Sequence, residues 1–170
     1  MAAICNLKVC TSTDAGTENS GDATNFNLLS TDAYDSTETS YQTNTISVPD
    51  SGTNYSYEKW LRLEFTGTFT LIDNIKAWHS SGSLSDSNIG LTAGETDTGV
   101  TPINTVSNIA TTILTSWDSE GEAINITPTN PIDTSGEKTD FLVIQLEVPS
   151  TVTTPGDIGS QSITFFYDEI

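Results

Sequence analysis

Residues 139–170 read TDFLVIQLEVPSTVTTPGDIGSQSITFFYDEI. Leu142, Ile144, Leu146 and Val148 alternate with Val143, Gln145 and Glu147, a period of two that puts one apolar and one mixed face on a strand. Pro149 removes a backbone donor, and Pro155-Gly156-Asp157 supplies turn chemistry. Beyond it Ile163, Phe165 and Tyr167 alternate with Thr164 and Phe166. The stretch therefore predicts two strands joined by a long Thr-rich connection. The second strand is expected to lie inside a sheet, beside the strand that carries Leu142, Ile144 and Leu146. Phe165 and Phe166 on opposite faces predict a strand covered on both sides.

Working outward, Tyr57–Trp78 repeats the alternation. Leu61, Leu63 and Phe65 point one way, and Trp60, Arg62 and Glu64 the other. Gly67 permits a bend. The alternation resumes over Thr68–Leu71, Asp73-Asn74 reads as a turn, and Ile75, Ala77 and Trp78 open a further strand. Residues 1–10 read as a short strand, and so do Ile46–Val48 before Pro49. Residues 79–100 read as a polar, glycine-punctuated segment. In 105–117, Ile109, Ile113 and Trp117 fit a helical stripe, but β-branched residues dominate and favour strand or loop. Asp118–Glu122 reads as a turn, and Ala123–Ile126 as another short strand. Eight to ten short strands between turn signals predict an all-β fold, a β-sandwich or jelly roll with long polar loops. Its expected core contains Leu61, Leu63, Phe65, Leu142, Ile144, Leu146, Phe165 and Tyr167.

Residues 11–45 are almost all Ser, Thr, Asp, Asn, Gly and Glu, interrupted by Phe26-Asn27-Leu28-Leu29, Tyr34 and Tyr41. They read as an extended arm, ordered mainly by neighbouring subunits. The chain divides into an N-terminal strand and arm (1–45) and a sandwich (46–170), one structural unit overall.

Charge narrows the partners. Of 170 residues, 23 are acidic and five basic, a net −18. Five cations cannot form a phosphate-neutralising stripe, which argues against nucleic acid and against an anionic membrane surface. The sequence contains no apolar run long enough for a spanning helix, and MAAICNLKVCTST lacks the pattern of a secretory signal. Synthesis in a cytoplasm is the expectation. Cys5 and Cys10, five apart on a strand, are expected as free thiols, because a disulfide needs Cα atoms within about 7 Å.

Chemistry is sparse. His79 is the only histidine, and it stands at a strand-to-turn junction with no nucleophile motif near it, so no proton-transfer role is assigned. Acidic residues lie beside tryptophans at Glu58, Trp60 and Glu64 and at Trp117, Asp118, Glu120 and Glu122. An acid-pair hydrolase would need such neighbourhoods, but solvated acids beside a core tryptophan explain them as well. Asp118, Glu120 and Glu122 alternate across a glycine turn and are the one candidate calcium cluster, without EF-hand spacing. Asn54-Tyr55-Ser56 and Asn125-Ile126-Thr127 match the glycosylation pattern and read as chance. No cofactor or metal is expected.

Two runs, YSYEKWLRLEFTGTFTLIDNIKAWHSSGSLSDSNIGLTAG (55–94) and FLVIQLEVPSTVTTPGDIGSQSITFFYDEI (141–170), carry a resemblance. Residues 46–170 resemble small β-rich virion structural proteins of tailed bacteriophages, which end in a similar Tyr-Asp-Glu strand. The resemblance implies a non-enzymatic virion component. An outer capsid decoration protein is the first form, with tail, neck or fibre parts next. Its partners would be the major capsid protein or other virion proteins, with homo-oligomer contacts, and its place the outer virion surface after assembly in a host cytoplasm. The charge fits that expectation, since an acidic protein is repelled by packaged DNA. The alternative is a glycan-binding sandwich on a tail or cell surface, with Trp60, Trp78 and Trp117 as stacking platforms.

Overall fold

The computed structural model describes residues 2–10, 17–18, 22–23, 46–154, 156 and 158–170. These form ten strands, all paired antiparallel, in two sheets. The strands are β1 (Ala3–Val9), β2 (Thr53–Tyr55), β3 (Lys59–Gly67), β4 (Ile72–Ser81), β5 (Gly90–Thr96), β6 (Thr112–Ile113), β7 (Ile124–Asn125), β8 (Glu137–Lys138), β9 (Phe141–Pro149) and β10 (Ser162–Glu169). The larger sheet runs β1-β3-β9-β5-β6, with β2 beside β9 and β8 beside β3; the smaller runs β10-β4-β7. Two sheets packed face to face make the all-β sandwich that the alternation predicted.

The main core lies between the sheets. Leu61, Leu63 and Phe65 of β3, Leu91 and Ala93 of β5, and Leu142, Ile144 and Leu146 of β9 meet Ile72, Ile75 and Ala77 of β4. Phe165 and Tyr167 of β10 pack against this cluster half-buried, and the Tyr167 ring meets Phe65 edge-on with centroids 4.9 Å apart. A second, smaller cluster covers the other face of the larger sheet: Cys10, Trp60, Ala110, Phe141 and Val143. Cys5 packs on the first cluster and Cys10 belongs to the second, and neither forms a disulfide.

Several local expectations change. β10 pairs with β4, not with the strand of Leu142: Ile163 lies opposite His79 and Phe165 opposite Ala77. The connection over 150–161 is too long for a tight hairpin, and it carries the chain from one sheet to the other. Asp73-Asn74 is no turn. The reversal comes earlier, after Gly67 at φ +97°, so Thr68–Leu71 is link rather than strand. Asn74 at φ +52° stands where the β4–β10 register shifts. A small polar residue tolerates that left-handed backbone, and β4 continues through it. Residues 46–49 form no strand; Ser47 instead accepts a bond from Asn54 Nδ2 at 2.8 Å beside β2.

The segment read as polar punctuation, 79–100, contains β5, a strand in the interior of the larger sheet. Its small residues hid it, and the fold requires them. A Cβ on Gly94 would stand 1.9 Å from the Ile109 carbonyl oxygen, so only glycine lets the loop over 97–111 lie on this strand. Of the arm, only Thr17, Glu18, Asp22 and Ala23 fall among the described residues. Cys10 pairs with Glu18 as an isolated bridge, and Ala23 N–H donates to Leu7 C=O at 2.8 Å. The expectation for the remainder of 11–45 lies outside the described residues.

The two phenylalanines of β10 test this arrangement. Phe165 faces the core and Phe166, opposite Lys76, faces outward. Phe165→Ala is expected to lower stability in urea toward the low end of the roughly 3–5 kcal/mol typical of a buried Phe→Ala change. Phe166→Ala is expected to cost much less. Equal losses would mean that β10 is covered alike on both faces.

Candidate functional site

The candidate residues do not converge. Trp60 and Trp117 are buried, at 1% and 0% exposure. Trp60 meets Phe141 edge-on at 5.3 Å and donates its indole N–H to Glu58 Oε2 at 3.1 Å. Trp117 packs in the main core, 6.0 Å from the His79 ring. A row of three open tryptophan faces is therefore not formed. Trp78 alone remains half-buried, outside both core clusters. Asp118, Glu120 and Glu122 are exposed around the 3-10 turn Glu120–Glu122. Among the described residues no group of three His, Cys, Asp or Glu is arranged to hold a metal ion.

His79 is buried and occupied. Gln161 donates through Nε2 to the carbonyls of Ile158 and Ser83, at 2.8 and 3.2 Å, which leaves its Oε1 to accept from His79 Nε2 at 2.9 Å. That network sets the proton on Nε2. The histidine joins the end of β4 to the segment leading into β10.

Sequence reading missed a buried polar network among the described residues. Glu58 is 2% exposed and Gln145 fully buried. Glu58 accepts from Ser107 Oγ at 2.6 Å, from Trp60 Nε1, and from Ile103 N–H at 3.3 Å. Gln145 donates to the carbonyls of Ser56 and Thr105 at 3.0 and 2.8 Å and accepts from Ser107 N–H at 3.0 Å. Ser107 Oγ in turn accepts from the N–H groups of Ile109 and Ala110, at 3.1 and 2.9 Å. The network fastens the 97–111 loop over the outer face of β9. One signal was available: a Gln in the mixed face of a strongly apolar strand.

A second carboxylate acts as a clasp. Asp86 accepts from Asn88 N–H and Nδ2 at 2.9 and 2.8 Å, and from Thr153 N–H and Thr154 N–H at 2.8 and 3.0 Å. These donors hold its carboxyl well below the usual range, the Asn88 N–H bond foremost. Glu95 and Asp140 behave oppositely. Burial first, then neighbouring carboxylates including Asp97, push both above the ordinary value. Burial and the charge of Asp22 raise the Cys5 thiol to about 11, so it is a packing group rather than a nucleophile.

Three of the five cations are in ion pairs among the described residues. Glu18 pairs with Arg62 and, at 2.6 Å, with Lys138; Glu64 pairs with Lys8 at 3.1 Å. The Arg62 guanidinium lies 4.4 Å over the Phe141 ring. An open, uncharged groove of about 470 Å³ lies beside β2, lined by Tyr55, Asn54, Asn104, Thr105 and Val106 among others. Among the described residues no helix is long and apolar enough to cross a membrane. No protein-family model, curated protein or solved structure matches the chain.

Two substitutions check these roles. Glu58→Ala leaves the Ser107 hydroxyl, the Trp60 indole and the Ile103 amide without their shared acceptor, and each buried orphan costs roughly 1–3 kcal/mol. It is expected to lower the urea midpoint and to accelerate amide exchange at Ile109 and Ala110. Unchanged exchange there would detach the network from the loop.

Asp86→Ala tests the clasp through pH. A depressed folded-state pKa contributes stability that is complete above the unfolded value of about 3.9 and is lost as pH falls through the folded value. The variant is expected to be less stable than the parent at neutral pH, with the difference shrinking below about pH 4. A difference that stays constant through acid pH would show that the carboxylate charge contributes nothing.

Proposed function

We propose that this chain is a non-enzymatic structural component of a tailed-phage virion, in its first form an outer capsid decoration protein. The observation that carries the reading is the use made of the buried polar side chains. Glu58, Gln145, Ser107, His79 and Asp86 each hold one loop or strand end to another, with their bonding capacity directed at the backbone and at each other. Groups committed in this way rigidify a scaffold. Resemblance of residues 46–170 to phage virion proteins supplies the context, and the charge of −18 suits a surface kept clear of packaged DNA. The partners on this reading are the major capsid protein or other virion proteins.

Purified particles of the virus that encodes the chain are expected to contain it in many copies by mass spectrometry, with immunogold label on the head exterior. Absence from mature particles would overturn the virion reading. Label confined to the tail would overturn the decoration form and keep the structural one.

A further inference from the structure

Among the described residues one long strand has an unpaired edge. β3, β4, β5 and β9 lie inside their sheets. β1 ends the larger sheet, but the start of the arm meets its outer side: Ala23 N–H donates to Leu7 C=O, and Leu7 N–H donates to Asp22 Oδ1 at 2.7 Å. β2, β6, β7 and β8 are only two or three residues long. β10 ends the smaller sheet, runs for eight residues and pairs on one side only, with β4.

The register shows which backbone groups of β10 face outward. Ile75 C=O accepts from Ile126 N–H at 3.0 Å and His79 N–H donates to Trp117 C=O at 2.9 Å, both on the side of β4 away from β10. Antiparallel pairs alternate between bonded and non-bonded positions, so Lys76 and Trp78 are the residues that bond β10, through Phe166 and Thr164. Ile163 and Phe165, opposite His79 and Ala77, turn their N–H and C=O groups to the open side. No backbone partner meets them there among the described residues. Their side chains pack half-buried on the core, so the edge is apolar along its inner side. Charge marks one end of it. Asp73, Asp168 and Glu169 are exposed, and none is in an ion pair among the described residues. Against them stands half-buried Lys76, the only lysine or arginine of these two strands.

We infer that the open edge of β10 is a docking site for an extended, cationic segment of a partner protein, which adds to the smaller sheet as an antiparallel strand. The segment bonds the outward backbone groups of Ile163 and Phe165, and its alternate apolar side chains cover their half-buried flanks. Lysines or arginines at its N-terminal end meet Asp73, Asp168 and Glu169, because the antiparallel direction puts that end beside the acids. Proline or lysine on an edge strand blocks such addition, and β10 carries neither. A second copy of this chain would bring eighteen further negative charges to the same edge, and the two would repel. The inference goes beyond the structural role proposed above and does not rest on it, since the edge and its acids are present whatever assembly the chain serves.

The test selects a displayed library of random dodecapeptides on the whole purified protein, then follows amide exchange by NMR with the most enriched peptide, made synthetically. Enriched peptides are expected to alternate apolar residues behind an N-terminal lysine or arginine. The bound peptide is expected to slow exchange about tenfold or more at Ile163 and Phe165, and to leave Thr164 and Phe166, already bonded to β4, unchanged. Asp73→Asn combined with Asp168→Asn keeps the side-chain acceptors and removes two charges. With thermal unfolding unaltered, this variant is expected to bind the peptide about three- to tenfold more weakly, the scale of two exposed charge pairs. The inference is overturned if no basic peptide is enriched, if bound peptide leaves the Ile163 and Phe165 amides unprotected, or if the double variant binds as the parent does. A concentration-dependent dimer that protects the same two amides without peptide would assign the edge to a second copy and overturn it equally.

Discussion

Everything in this fold is arranged around β9, a strand buried on both faces. Seven of its nine residues are buried, and all but Glu147 and Pro149 lie below the surface. One face, Leu142, Ile144, Leu146 and Val148, needs a second sheet over it; the other, Phe141, Val143 and Gln145, needs something too. A buried strand cannot leave either face wet, because apolar area left in water forfeits roughly 25 cal/mol per Å². The smaller sheet answers the first demand, and the 97–111 loop answers the second.

The second solution is the more exacting. A loop carries unpaired backbone groups, and burying them without partners costs more than their burial returns. Gln145 and Glu58 resolve this by presenting an amide and a carboxylate from the sheet surface to the loop's own amides and carbonyls. Gly94 resolves the steric half of the problem by letting the Ile109 carbonyl approach β5. Polar and glycine positions inside a hydrophobic sheet are thus conditions for the loop, and the loop is the condition for the sheet.

The same economy runs through the surface charge. With five cations against 23 acids, Glu18 gathers Arg62 and Lys138, and Glu64 gathers Lys8, across β1, β3 and β8. That ties the described start of the arm to the sheet and leaves the rest of the surface strongly acidic.

The sequence by itself determined the strand class and the core. Period-two alternation is a local property, so Leu61, Leu63, Phe65, Leu142, Ile144 and Leu146 were legible as inward residues, and all are buried. The net charge of −18 is likewise legible without reference to shape. Tertiary structure decided which strands meet and which candidates are available. Pairing β10 with β4 depends on a long connection whose path no local pattern encodes. β5 was invisible because close backbone approach demands small residues, which carry no hydrophobic signal. Trp60, Trp78 and Trp117 are equivalent letters in the chain. Only the layer each one faces separates the two core tryptophans from the one that stays half-buried outside both clusters.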